Sequence, residues 1–141
     1  REDMTLASIA SALKEMARKY DVPILTFTQV NANINTQDIL DAGCIAGSRA
    51  VQNKADIAMI VHEPRAKEKP MIDLFLPEEF KRKGLMPNRI CHIYKVRFGS
   101  CEQGLKVWGY LNLSTGEWTD MFVTTKFNEL YYVDKTKLTG E

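Results

Sequence analysis

A chain of 141 residues, 45% hydrophobic and 26% charged, has the size and balance of one domain with its own core. Nineteen Lys and Arg against eighteen Asp and Glu leave a formal charge of +1, which excludes a global basic field for nucleic acid or an anionic membrane. Three widely spaced cysteines, Cys44, Cys91 and Cys101, fit neither a disulfide framework nor a Cys-x-x-Cys metal knuckle and point to a reducing cytoplasm.

No apolar run approaches the roughly 18 to 20 residues of a membrane span, and "REDMTLAS" lacks the layout of a signal peptide. Without an initiator Met at position 1, the chain reads as a piece of something longer.

From Met4 to Tyr20, Leu6, Ile9, Leu13, Met16, Ala17 and Tyr20 recur at steps of three and four, which predicts an amphipathic helix. Glu2 and Asp3 lead it, and Lys14, Arg18 and Lys19 close it, in the order that suits the helix dipole. Pro23 blocks continuation, and "ILTFTQ" then reads as a strand buried on both faces. A long Asn-, Gly- and Ser-rich loop follows, then a short helix over "RAVQNKA" and a second apolar strand, "DIAMIVHE". This alternation predicts an α/β fold with a mostly parallel sheet flanked by helices, its chemistry at the strand ends near Gln29, His62 and Glu63.

Residues 64–88 carry charge runs and four prolines and read as a surface insertion, helical around Glu78 to Lys83. "RICHIYKVRF" and "LKVWGYLNL", separated by "GSCEQG", predict a C-terminal hairpin. "DMFVTTKF" adds a short strand, and 128–141 form a loosely held tail.

Several polar residues invite chemistry. Lys95 and Arg97 share one strand face just before Gly99, and like charges so placed need an anion opposite them or serve as an edge guard. Gln29, at a strand end, offers a neutral amide that can meet a phosphate or cap a loop. The segment from Ala42 to Arg49 offers Gly43, Gly47 and Ser48, whose small side chains let backbone N–H groups approach a phosphate, together with the cation Arg49. One His beside one carboxylate, His62 with Glu63, makes no metal set; His92 reads as a packed histidine and Trp108 and Trp118 as core or rim aromatics.

In order, the helix, "VPILTFTQVNANI", "AGSRAVQNKADIAMIVHE" and "IYKVRFGS" resemble the later half of the RecA-like motor domain of DnaB-family replicative DNA helicases, over about Met4 to Gly116. The likeness rests on Thr28-Gln29-Val30-Asn31, the Ala50-Val51 to Ala55-Asp56 run, the apolar strand after it, and Lys95-x-Arg97-x-Gly99. A GxxxxGK[ST] phosphate loop and an acid-ended Mg²⁺ strand do not occur in these residues, and in the family they precede this part. The family's Arg-Glu pair before the loop glycine is also replaced, by the stretch Ala46-Gly47-Ser48-Arg49.

The resemblance implies an enzyme whose whole form binds ATP and Mg²⁺ and hydrolyses ATP between identical subunits of a ring, a hexamer, while translocating on single-stranded DNA. Primase or a helicase loader would be further partners. By the same likeness Gln29 is the γ-phosphate sensor, Lys95, Arg97 and Gly99 reach the nucleotide of the neighbouring subunit, and Gly43, Gly47, Ser48, Arg49 and Asn31, with Asn33, face DNA. This piece alone would be catalytically silent. The alternatives are another RecA-like ATPase, such as a recombinase, or a non-catalytic nucleic-acid or protein-binding module.

Overall fold

The computed structural model describes residues 2–44, 49–99 and 101–131, with backbone alone at 2, 3, 32, 33, 49 and 50. The chain forms two compact units, the first of Arg1–Ile60 with Tyr94–Cys101 and the second of Val61–Ile93 with Glu102–Glu141.

The first unit opens with α1, Glu2–Tyr20, whose last turn carries Arg18 and Lys19 where the helix dipole favours cations. Its apolar stripe is left largely uncovered: Met4, Ile9, Met16 and Tyr20 are all exposed. The run "ILTFTQ" forms no strand, and Phe27 is 89% exposed. Hydropathy marks a segment that wants cover, but a strand also needs a partner for its N–H and C=O groups. Two 3-10 turns, Ala32–Asn35 and Ala42–Cys44, lead to α2, Arg49–Lys54, and then to β1, Ile57–His62. The core of this unit is small, with Leu40, Cys44 and Ile60 buried and Ile34 and Tyr94 packed against them.

The sheet corrects the expected fold class. Its strands lie in the order β1, β2 (Arg89–Val96), β3 (Leu105–Leu111) and β4 (Trp118–Thr124), with β2–β3 and β3–β4 antiparallel. A RecA-like parallel sheet flanked by helices is therefore absent among the described residues. A parallel neighbour needs a long crossover that returns the chain to the same end, and the short links after β2 and β3 allow only antiparallel return. β1 is an edge strand in which Ile60 and His62 are buried and Ile57, Met59 and Val61 exposed, so its apolar run is covered on one face, not two.

The second unit is built on a cross-strand row. Ile90 faces Trp108 and Trp108 faces Phe122, with the last two rings stacked at 5.0 Å. The indole N–H of Trp108 donates to the Thr124 hydroxyl at 3.0 Å, so the one polar atom of this fully buried ring is satisfied. A bulge between Trp108 and Gly109 leaves Met121 without an opposite number, which lets the adjacent Met121 and Phe122 both be buried. Asn88 extends the hairpin by one rung: its side chain donates to the Leu111 carbonyl and accepts from the Leu111 N–H.

Residues 64–88, expected as a surface insertion, contribute α3, Pro70–Phe75, and α4, Glu78–Arg82, and bring Ile72 and Leu76 into the same core. Pro70 opens α3, where its missing N–H costs nothing. In the tail, Leu130 bridges to Thr124, while 132–141 lie outside the described residues. No helix of the described residues is long and apolar enough to cross a membrane.

Truncating Ile90, which is 0% exposed, removes contacts from the row and leaves a cavity, whereas Leu74, 68% exposed, touches little. Ile90→Ala is expected to cost about 2–5 kcal/mol in urea unfolding followed by tryptophan fluorescence, and Leu74→Ala less than about 0.5 kcal/mol. Equal losses from the two would contradict this core.

Candidate functional site

Among the described residues, those that the resemblance assigns to the site lie in the first unit's segments, to which Tyr94–Cys101 belong. Alternation along β2 puts Lys95 and Arg97 on one face, and both meet the last turn of α2. Lys95 Nζ donates to the Gln52 carbonyl at 2.6 Å, and Arg97 Nη2 to the Asn53 carbonyl at 2.8 Å. A helix leaves its last carbonyls unbonded and negatively polarised, so two cations there serve as a C-terminal cap. The backbone N–H of Arg97 donates to the Asp56 carbonyl at 2.8 Å and fixes the strand end against the same corner.

Asp56 supplies the formal negative charge. Its carboxylate accepts from Lys14 of α1 and lies 3.8 Å from Arg97 Nη1. The Lys14 hydrogen bond, opposed by burial and aided by the charges of Lys14 and Arg97, holds the Asp56 carboxyl below its ordinary 3.8. That pairing stabilises the fold above pH 3.8 and is lost as pH falls through the lowered value. Lys95 is pushed down, first by burial and then by Arg97 beside it.

The loop closes on itself. Asn31 Nδ2 donates to the Gly43 carbonyl at 2.9 Å, and the Asn31 N–H to the Cys44 carbonyl at 2.7 Å, so two residues predicted separately are brought together. The Gly43 amide donates to Asp41 Oδ1 at 2.7 Å, which engages the N–H expected to face phosphate. Gln52, only 4% exposed, ties this turn to α2 by donating to the Ala42 carbonyl at 2.7 Å. Arg49 is the first residue of α2, and Gly47 and Ser48 lie outside the described residues.

Gln29 is exposed and ends irregular backbone in place of the expected strand. Gly99 has φ +103°, a conformation that favours glycine, with open space where a Cβ would stand. Lys14, Gln52 and Asp56 were not singled out from the sequence as site residues. They lie about forty residues or more from Lys95 and Arg97 along the chain, and spacing alone carries no signal at that range. In the second unit an open cleft of about 580 Å³ is lined by Glu63, Ile72, Met86 and Arg89 among others and holds none of the residues that the resemblance assigns. Among the described residues no group of three or more His, Cys, Asp or Glu could hold a metal ion.

No family model matches the chain. It is similar to the SPbeta prophage-derived uncharacterized protein YorI of Bacillus subtilis (strain 168), with 34% identity over 142 residues covering 98% of this chain and 27% of that protein. The chain thus spans about a quarter of the length of this curated relative.

The Lys14–Asp56 contact is open to direct measurement. A double-mutant cycle of Lys14→Ala and Asp56→Ala is expected to return a coupling of about 0.2–1 kcal/mol, because Asp56 keeps 42% of its side-chain surface in water. Raising the salt from about 0.05 M to about 0.5 M should shrink it. Zero coupling at low salt contradicts the pairing.

Proposed function

We propose that the chain is part of the motor of an ATP-driven, ring-forming DNA helicase of the DnaB type, working on single-stranded DNA. One observation carries the reading: Lys95 and Arg97 converge on a single spot, in the unit that also holds Gln29, Asn31 and Gly43. Two cations that satisfy carbonyl oxygens and one carboxylate are chemically suited to a polyphosphate, which offers the same acceptors with more charge. The length of the Bacillus relative accords with a larger protein of which this is one portion.

In this proposal the α2 end and Asp56 hold the pair ready, and the triphosphate bound by a neighbouring subunit draws it across. Arg97, with its planar fork, meets the charge that grows on the γ-phosphoryl oxygens as the bond to the β-phosphate breaks, while Lys95 adds a compact point charge. Gln29 orients the attacking water or meets the γ-phosphate. Mg²⁺, when bound with the nucleotide, would supply positive charge to the phosphates. Primase or a loader and a hexameric ring of identical subunits belong to the same proposal. A second reading, a binding module without ATPase chemistry, is favoured by the capping bonds themselves, since a pair fully used at the α2 end needs no nucleotide.

Arg97→Ala in the full-length protein separates the two. An arginine supplied in trans is worth roughly 10³ to 10⁵ in kcat, while a half-exposed cap is worth about 1 kcal/mol of stability and nothing in turnover. The expected result is a folded ring whose DNA-stimulated ATPase is lost, with partial recovery when it is mixed with a phosphate-loop variant. Normal turnover in Arg97→Ala would overturn the helicase reading. Gln29→Ala is expected to leave ATP affinity within a few-fold and to slow DNA-stimulated hydrolysis; unchanged hydrolysis would return Gln29 to loop capping.

A further inference from the structure

The second unit buries an unusual group of ionisable side chains that the proposed motor chemistry does not use. Glu68, 4% exposed, receives a two-pronged bond from Arg65: Nη2 to Oε1 at 2.8 Å and Nε to Oε2 at 3.1 Å, with the Arg65 backbone N–H adding a third at 3.0 Å. Lys106 of β3 stands 4.0 Å from the same carboxylate, and His62 of β1 stands 3.8 Å from it. His92 of β2 faces the cluster from the sheet, under the charges of Lys106, Glu68 and Arg65 and beside His62.

His62 is the member with an unpartnered buried ring nitrogen. Its Nδ1 lies 2.8 Å from the Glu63 carbonyl, an acceptor only, so Nδ1 carries the hydrogen of the neutral ring. Nε2 is then the bare nitrogen, buried and with no hydrogen-bond partner. A proton arriving there would create a buried cation among Arg65 and Lys106. The nearby carboxylate, Glu68, is already committed to Arg65.

We propose that His62 and the Arg65–Glu68 turn form an acid-released latch, in which uptake of one solvent proton at His62 Nε2 lifts residues 64–69 from the strands and frees the segment that leads into α3. Neutral His62 holds the latch shut by leaving Glu68 to Arg65 and Lys106. The imidazolium competes for Glu68 and repels Arg65 and Lys106, and opening lets water solvate all three cations.

The surroundings of the ring act in the same sense. Burial comes first in pushing His62 below its ordinary 6.5, and Arg65 and Lys106 push the same way, against the Glu63 bond and Glu68. Burial, then Lys106 and His62, bring His92 down to about 4. Burial alone would raise the Glu68 carboxyl, but the Arg65 bonds outweigh it and keep it low, so Glu68 stays charged through the window that matters. A histidine lowered in the closed state binds its proton more readily in the open one. Closure is therefore strongest above pH 6.5 and weakens as pH falls from there towards the lowered value.

Hydrogen exchange on the chain tests the latch through the amides of Arg65, Glu68 and Lys69, each bonded within the turn. After correction for the intrinsic pH dependence of exchange, their protection is expected to fall by up to about fivefold over the pH unit below 6.5, while the β3–β4 amides keep theirs. His62→Asn preserves a donor towards the Glu63 carbonyl but cannot be protonated, and is expected to abolish the fall. A ring titration of His62 followed by NMR in the parent chain keeps the proposal testable if that variant folds poorly, with a midpoint below 6.5 expected. An unshifted His62, pH-independent protection of the turn, or a fall that survives in His62→Asn and vanishes in His92→Gln would each overturn the latch.

Discussion

Each unit of this protein holds one carboxylate that gathers several cations. In the first unit Asp56 gathers Lys14 from α1 and Arg97 from beyond β2, so segments far apart in sequence share one corner. In the second, Glu68 is held by Arg65 with Lys106 and His62 close by. The two differ in depth: Asp56 is half in water, where ion pairs contribute little and respond to salt, while Glu68 is buried, where losing one partner strands a charge.

The α2 end shows how a helix C-terminus is closed by cations from a distant part of the chain. Carbonyls at a helix C-terminus and phosphate oxygens present the same demand, acceptors carrying negative charge, and Lys95 and Arg97 answer the first with bonds of 2.6 and 2.8 Å. Such a pair is pre-oriented, since its rotamers are set before any ligand arrives. It is also partly neutralised. How far the cap can be exchanged for a stronger anion decides whether it acts beyond the fold.

Much of the second unit was legible in the sequence because hairpins are local. "GSCEQG" between two β-prone runs sets an antiparallel pair, and alternation places Ile90 and Trp108 on the covered face. The bulge at Gly109 was not legible, because it depends on how β4 fits Met121 and Phe122 into one core. The role of 64–88 was hidden for a similar reason: charge runs and prolines marked its surface, while Ile72 and Leu76, few and interspersed, give it a buried side. In the first unit periodicity identified the helix but not its cover. Burial of "ILTFTQ" on two faces was read from hydropathy, which states a preference and says nothing of what stands opposite.

By itself the sequence determined the elements whose causes lie within a few residues: the start and period of α1, the apolar run of β1, the hairpin of β2 and β3, and the shared face of Lys95 and Arg97. Only the tertiary structure decided what those elements meet. The partners of Lys95 and Arg97, the capture of the Gly43 amide by Asp41, the antiparallel sheet and the bare nitrogen of His62 each depend on where other parts of the chain come to lie. Local propensity and periodicity are properties of neighbours in sequence, whereas hydrogen-bond partners and burial are properties of neighbours in space, and Arg97 lies 44 residues from the Asn53 carbonyl to which it donates.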